Sequence, residues 1–248
     1  MATSSFSRSS FDLRSATYFP SYRQLPFDND INDLFYKPSK DGIYRPSHHW
    51  AFLAEIVEAR IMRLPPSMNV ITITGDLGFQ RPCYLVRDRE GTEINVAFHT
   101  EPVDMAIHGF DEKNYAVGNT MAVLYANRHC FMDGTEGLRI EELPIMKVIP
   151  CALETLLNVD PEVATTATLC KRCGTDNGKL LVCANCKIKY CSQWKCRHAD
   201  WKAHKAECAA IGLVREWRHR DWSQFDGFWE ETTMIDGLKL SAKGREKT

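Results

Sequence analysis

Eight side chains in the C-terminal third carry the strongest chemical signal in the sequence. They run Cys170-x2-Cys173-x9-Cys183-x2-Cys186-x4-Cys191-x4-Cys196-x7-His204-x3-Cys208. Seven thiols and one imidazole are donors that suit zinc, and eight of them suffice for two tetrahedral sites. A Cys-x2-Cys pair lets one tight turn aim both sulfurs at one ion, and Gly174 just after the first pair can take a positive φ. His204 and Cys208 are four residues apart, so a helix sets both on one face. Buried free thiols are the rival reading, but the flanking residues are Lys, Arg, Asn and Asp rather than apolar. Disulfides are the other. Residues 1–24 lack the apolar core of a secretory signal, so the expected compartment is intracellular and reducing, nucleus or cytoplasm.

Four protein ligands per ion make a closed structural site, which argues against zinc catalysis. So small a module has too little apolar core to fold alone, and the metal must supply its folding free energy.

The stretch from Cys170 to Cys208 resembles the MYND zinc finger, on the words CKRCG, LLVCANCKIKYCS and CRHADWKAHKAEC. The resemblance implies a cross-brace of interleaved ligands. The first zinc takes Cys170, Cys173, Cys191 and Cys196, and the second takes Cys183, Cys186, His204 and Cys208. The family has three residues between its fifth and sixth ligands, whereas Ser192-Gln193-Trp194-Lys195 makes four here. On a regular helix i+4 lies about 40° from vertical alignment and i+5 about 140°. Either the helix begins after Cys191, or a π-type bulge absorbs the extra residue. The first site is the one expected to be distorted.

The resemblance also implies a protein-interaction module whose partner offers a short peptide, proline-rich in some members. Trp201 matches the Trp of the family's groove, and Arg197 stands where the family has Gln. A bound peptide would stack prolines on Trp201 and pair its backbone with a strand edge near Lys187 to Tyr190. Trp194 is a second exposed aromatic or a lid over the first site. Nine basic and three acidic side chains give the finger a formal +6, which seven thiolates and two Zn²⁺ reduce to +3. That mild charge suits an acidic or proline-rich peptide at least as well as nucleic acid.

At 248 residues, 44% apolar and 25% charged, the chain has room for one ordinary domain plus a small module. Residues 1–45 are Ser-, Pro- and Asp-rich and predict a disordered leader. Residues 46–160 predict a β-rich domain with an N-terminal helix. Trp50, Leu53, Ile56, Val57 and Ile61 recur at helical spacing from Pro46 to Leu64, until Pro65-Pro66. Val70–Thr74 is β-branched. Cys83–Asp88 and Thr92–Phe98 flank Glu90-Gly91 as a hairpin. Thr120–Tyr125, Gly137–Ile140 and Met146–Ile149 follow as strands, with a turn at Asp133-Gly134 and a stop at Pro150.

Such spacing predicts a small antiparallel barrel or sandwich, and the whole chain as α+β. The stretch VGNTMAVLYANRHCFMDGTEGLRI resembles the later strands of an OB-type barrel. Residues 161–169 read as a linker and 170–208 as the finger. Residues 209–248 read as an aromatic helix (Trp217, Trp222, Phe225, Phe228, Trp229) and a flexible tail.

Function therefore reads as a non-enzymatic zinc-binding adapter with a protein partner. The principal alternative is a nucleic-acid-binding or transcription-regulatory protein stacking bases on Tyr84, Phe98 and Tyr125. Residues outside the finger carry a formal −7, which opposes a phosphate-tracking groove. A third reading is a SET-type lysine methyltransferase, which Asn127-Arg128-His129-Cys130 resembles faintly. The word departs from that family's Asn-His-Ser-Cys at its second and third residues and lacks the Pro-Asn that follows. His48, His49, His99, His108 and His129 fall into no triad or open metal pattern, so no catalytic residue is assigned. No apolar run approaches the ~20 residues of a membrane helix, and no membrane partner is expected.

Overall fold

A computed structural model describes residues 11–62, 81–160, 168–176, 179–228, 234–235 and 238–239. A two-stranded hairpin of β1 (Tyr36–Pro38) and β2 (Tyr44–Pro46) comes first. Next are β3 (Ala51–Met62), β4 (Arg81–Asp88), β5 (Glu93–Phe98), helix α1 (Pro102–Ile107), β6 (Thr120–Leu124), β7 (Arg128–Cys130), β8 (Glu136–Ile140), β9 (Met146–Ile149) and helix α2 (Leu153–Leu157). The finger contributes β10 (Leu181–Val182), β11 (Lys189–Tyr190), a π-helix at Gln193–His198 and helix α3 (Ala199–Trp217). A small pair, β12 (Met234–Ile235) and β13 (Leu238–Lys239), ends the described chain.

The mixed α+β character agrees with the sequence reading; the barrel does not. Seven strands lie in the order β7-β8-β5-β4-β3-β6-β9. Closure into a barrel requires the two edge strands to pair. Here β7 and β9 stand at opposite edges, so the sheet is open. One pairing, β5 with β8, is parallel, with Asn95 opposite Gly137 and Phe98 opposite Ile140. A Cβ at Gly137 would collide with the Asn95 carbonyl, so this close approach requires glycine there.

The helix expected from Pro46 to Leu64 is instead the central strand β3. From Ala51 to Ile56 nearly every side chain is buried, because both sheet faces are covered. A strand buried on both faces shows an unbroken apolar run rather than alternation, and that run imitated helical periodicity. The hairpin β4–β5 forms as read, with Gly91 at φ +82 in its turn. Asp88 closes that turn by accepting from the amides of Glu90 and Thr92, and its other oxygen accepts from the Tyr22 amide at 2.9 Å.

That last bond ties the N-terminal segment to the sheet. Residues 11–45 are not a disordered leader. Leu13, Phe19, Tyr22, Leu25 and Phe35 are buried, and Phe27 bridges Arg128 at the edge of the sheet. Pairing and covering an exposed edge removes a template for aggregation. The segment's Ser and Pro content masked its aromatic content, which is what anchors it. The rings offered for base stacking are packed as well: Tyr84 and Phe98 meet Tyr115 and Phe110, and Tyr125 meets Trp50 and Phe225. The nucleic-acid reading thus loses its stacking platform.

The aromatic helix expected after residue 209 is also different. Helix α3 begins inside the finger and ends at Trp217, and Trp222, Phe225 and Phe228 follow in non-helical chain. Trp217 stacks on Phe19 at 5.8 Å and meets Trp222 edge-on at 5.3 Å. Ile211, Leu213 and Val214 of the same helix are buried where it packs against α2 and β9, and Lys147 of β9 pairs with Glu216. The strand expected at Val70–Thr74, Trp229, the tail beyond Lys239 and most of the 161–169 linker lie outside the described residues.

Buried where β3 begins, His49 accepts from the Tyr125 hydroxyl at Nδ1 (2.7 Å) and donates from Nε2 to Asp226 (3.0 Å). Burial, then the nearby Arg220 and His48 charges, lower its pKa to about 4, with Asp226 opposing. The unfolded chain takes up this proton near pH 6.5 and the folded chain does not. The stabilisation is complete above 6.5 and is lost as pH falls towards 4, on the order of 3 kcal/mol from this group. An NMR titration should place the His49 midpoint near 4; a midpoint at 6 or above would contradict the assignment.

Candidate metal centre

Each Cys-x2-Cys pair sits on a turn whose next residue has a left-handed backbone. Gly174 has φ +71, as the sequence suggested, and Lys187 has φ +62. The Gly174 amide bonds to the Cys170 carbonyl, and the Lys187 amide to the Cys183 carbonyl, so the two turns are equivalent. A β-carbon in this region costs roughly 1–2 kcal/mol. Lys187→Gly should therefore stabilise the finger by about 1 kcal/mol, read as a higher chelator concentration needed to unfold it. No change or a loss would show that the Lys187 stem contributes more than its backbone costs.

The turns are tied by β10 and β11, with Leu181 opposite Tyr190 and Val182 opposite Lys189. The Lys171 amide donates to the Lys189 carbonyl at 2.9 Å, lacing the first turn to the outer side of β11. The strand edge near Lys187 to Tyr190, expected to receive a peptide, is therefore occupied. Among the described residues β10 has β11 as its one ladder partner, so the open edge is Leu181–Val182, and both side chains are exposed.

The extra residue between Cys191 and Cys196 is absorbed as π-helix. Ser192 caps it, accepting from the Lys195 amide at its hydroxyl, and the Arg197 amide bonds the Ser192 carbonyl five residues back. The i+5 turn is what brings Cys191 and Cys196 together, at 3.4 Å between sulfurs. The helix thus takes up the distortion. In each cluster the four ligand atoms lie within 4.8 Å of one another, so the extra residue does not part Cys191 and Cys196 from the first set.

The structure brings together Cys170, Cys173, Cys191 and Cys196 in one cluster, and Cys183, Cys186, His204 and Cys208 in the other. In the first, Cys173 lies 3.5 Å from Cys191 and 3.7 Å from Cys196. In the second, Cys183 lies 3.7 Å from Cys208 and 3.4 Å from His204 Nε2, which is 3.7 Å from Cys186. A zinc tetrahedron with arms of about 2.3 Å has edges of about 3.8 Å, so both clusters fit one ion. A disulfide would need sulfurs at about 2.05 Å, and every cysteine here is free.

Local hydrogen bonds favour the thiolate at some donors, while burial at Cys186 and the neighbouring thiols at Cys191 oppose it. The Thr175 hydroxyl at 2.7 Å, helped by its amide, lowers the Cys173 thiol to about 6, towards the thiolate a metal requires. The Asn185 amide donates to Cys208 at 3.4 Å. His204 is buried with Nε2 towards the thiols, and its Nδ1 makes no hydrogen bond among the described residues. With a proton on Nδ1, the Nε2 lone pair would be free for a cation. The other cysteines, Cys83, Cys130 and Cys151, join no cluster, and no further metal-ligating group occurs among the described residues.

Trp201 is 48% exposed, its ring 6.2 Å from that of His204, and Arg197 is half-buried. Trp194 is 76% exposed and contacts His198, so it is not a lid on the first cluster. The left-handed Lys187 went unread in the sequence. Its signal was the position it shares with Gly174, directly after a Cys-x2-Cys pair.

The family model of the MYND finger matches residues 170–208. SET domain-containing protein 14 of Caenorhabditis elegans is 49% identical over 48 residues, which cover 19% of this chain and 11% of that protein. SET domain and MYND-type zinc finger protein 6 of Schizosaccharomyces pombe is 38% identical over 77 residues, 31% of this chain and 15% of that protein. The chain thus spans a minor fraction of the length of these relatives. With two interleaved four-donor clusters inside the matched span, the module from Cys170 to Cys208 is a MYND-type finger that binds two zinc ions.

Proposed function

We propose that this chain is a non-enzymatic adapter whose zinc-held finger docks a peptide segment of a partner protein. The observation that carries the reading is the pairing of two closed four-donor sets with a half-exposed Trp201 beside the second. Four protein ligands per ion leave no position for a substrate, so the metal holds a surface in shape rather than reacting. Trp201 supplies a flat apolar face for a proline ring, and Arg197, one helical turn before it, can donate to a peptide carbonyl. The Leu181–Val182 edge of β10 is where an extended backbone would add.

Affinity capture with the zinc-loaded chain should recover partners that Trp201→Ala loses while both zinc ions remain bound. Identical partners for the two proteins would place docking elsewhere. A lysine methyltransferase is the second reading, favoured by the SET domains in the names of the two relatives. Titration with S-adenosylmethionine separates the two: no binding is expected of an adapter.

A further inference from the structure

The outer face of the π-helix and the first turns of α3 carry Trp194, His198 and Trp201, all exposed. The Trp194 ring touches His198 at 5.8 Å, and Trp201 follows three residues later. Around them Lys195, Lys202 and Lys205 are exposed and enter no ion pair among the described residues. The acids of the same stretch are engaged by groups outside it. Asp200 accepts from the Tyr190 hydroxyl at 2.6 Å and lies 3.8 Å from Lys171, and Glu207 lies 3.0 Å from Lys171. The outer face therefore presents two indoles among three uncompensated ammonium groups.

Exposed tryptophans in a cluster mark contact surfaces, and tryptophan is enriched where binding energy concentrates. The surrounding lysines select the sign of the partner's charge. A polyanion such as DNA or an anionic membrane would use the same lysines, but the chain as a whole carries −1. That balance suits a short acidic segment better than an extended phosphate surface. We infer that this face binds an acidic peptide segment of a partner protein, its carboxylates on Lys195, Lys202 and Lys205 and an apolar residue or proline between Trp194 and Trp201. The inference rests on the docking reading above and adds the partner's charge and Trp194 as a second anchor.

Panning the zinc-loaded chain against a phage library of random dodecapeptides tests it. Selected peptides should be enriched in Asp and Glu around Pro or Leu. A fluorescein-labelled selected peptide should lose about tenfold in affinity on Trp194→Ala, and again on the double change Lys202→Glu and Lys205→Glu, with two zinc ions retained in each variant. Neutral or basic peptides, or indifference to Trp194→Ala, would overturn the acidic-partner inference and leave docking at Trp201 standing. Failure to select any peptide would remove both, as would binding only to phosphatidylserine vesicles or single-stranded DNA.

Discussion

Cys183→Ala is expected to reduce bound zinc from two ions per chain to one and to unfold the finger around the lost site. Cys183 opens the second Cys-x2-Cys turn, and its sulfur lies within contact of both His204 and Cys208. Its loss leaves three donors, and structural zinc contributes about 10–16 kcal/mol of folding free energy in small fingers. The damage should be bounded. The first half of α3 is held by His204 and Cys208, but its second half is held by Ile211, Val214 and Trp217 against the sheet domain. Far-UV circular dichroism should therefore lose part of its helical signal, while the near-UV signal of Trp217 and Trp222 stays. Two zinc ions per chain in the purified variant would break the assignment of Cys183 as a ligand.

The complementary change is Trp217→Ala, with the second-largest expected effect. Trp217 has no exposed surface, stacks on Phe19, packs against Trp222, and accepts the Trp222 indole N–H at its carbonyl at 2.9 Å. Truncating a buried Trp costs about 3–5 kcal/mol. That is a large part of the 5–15 kcal/mol typical of a domain, and corresponds to a fall of roughly 10 °C in Tm for a chain of this size. Zinc content should remain at two, because the two donors on this helix, His204 and Cys208, sit on its other half and the remaining six precede it. A fall in Tm of only a degree or two would mean that Phe19 and Trp222 close over the gap.

The finger was readable to the level of individual ligands because coordination demands particular atoms at particular spacings, and those spacings survive in the linear chain. Even the surplus residue between Cys191 and Cys196 was legible as a choice between two backbone devices. The structure uses both, a helix that begins after Cys191, at Gln193, and a π turn. Hairpin β4–β5 was readable because Gly91 marks a local turn. The pairing of β5 with β8 was not, since forty-odd residues separate Phe98 from Ile140 and nothing local records a parallel neighbour. β3 was misread because burial on two faces erased its alternation. Residues 11–45 were misread because their fixation depends on distant groups, Asp88 for the Tyr22 amide and Trp217 for the Phe19 ring.

His204 and Trp217 are thirteen positions apart on one helix, a span of about 20 Å. No swivel separates them, so the proposed docking face is held at a set bearing to the sheet. One residue inserted between Cys208 and Ile211 would turn that bearing by about 100° without touching any of the eight donors.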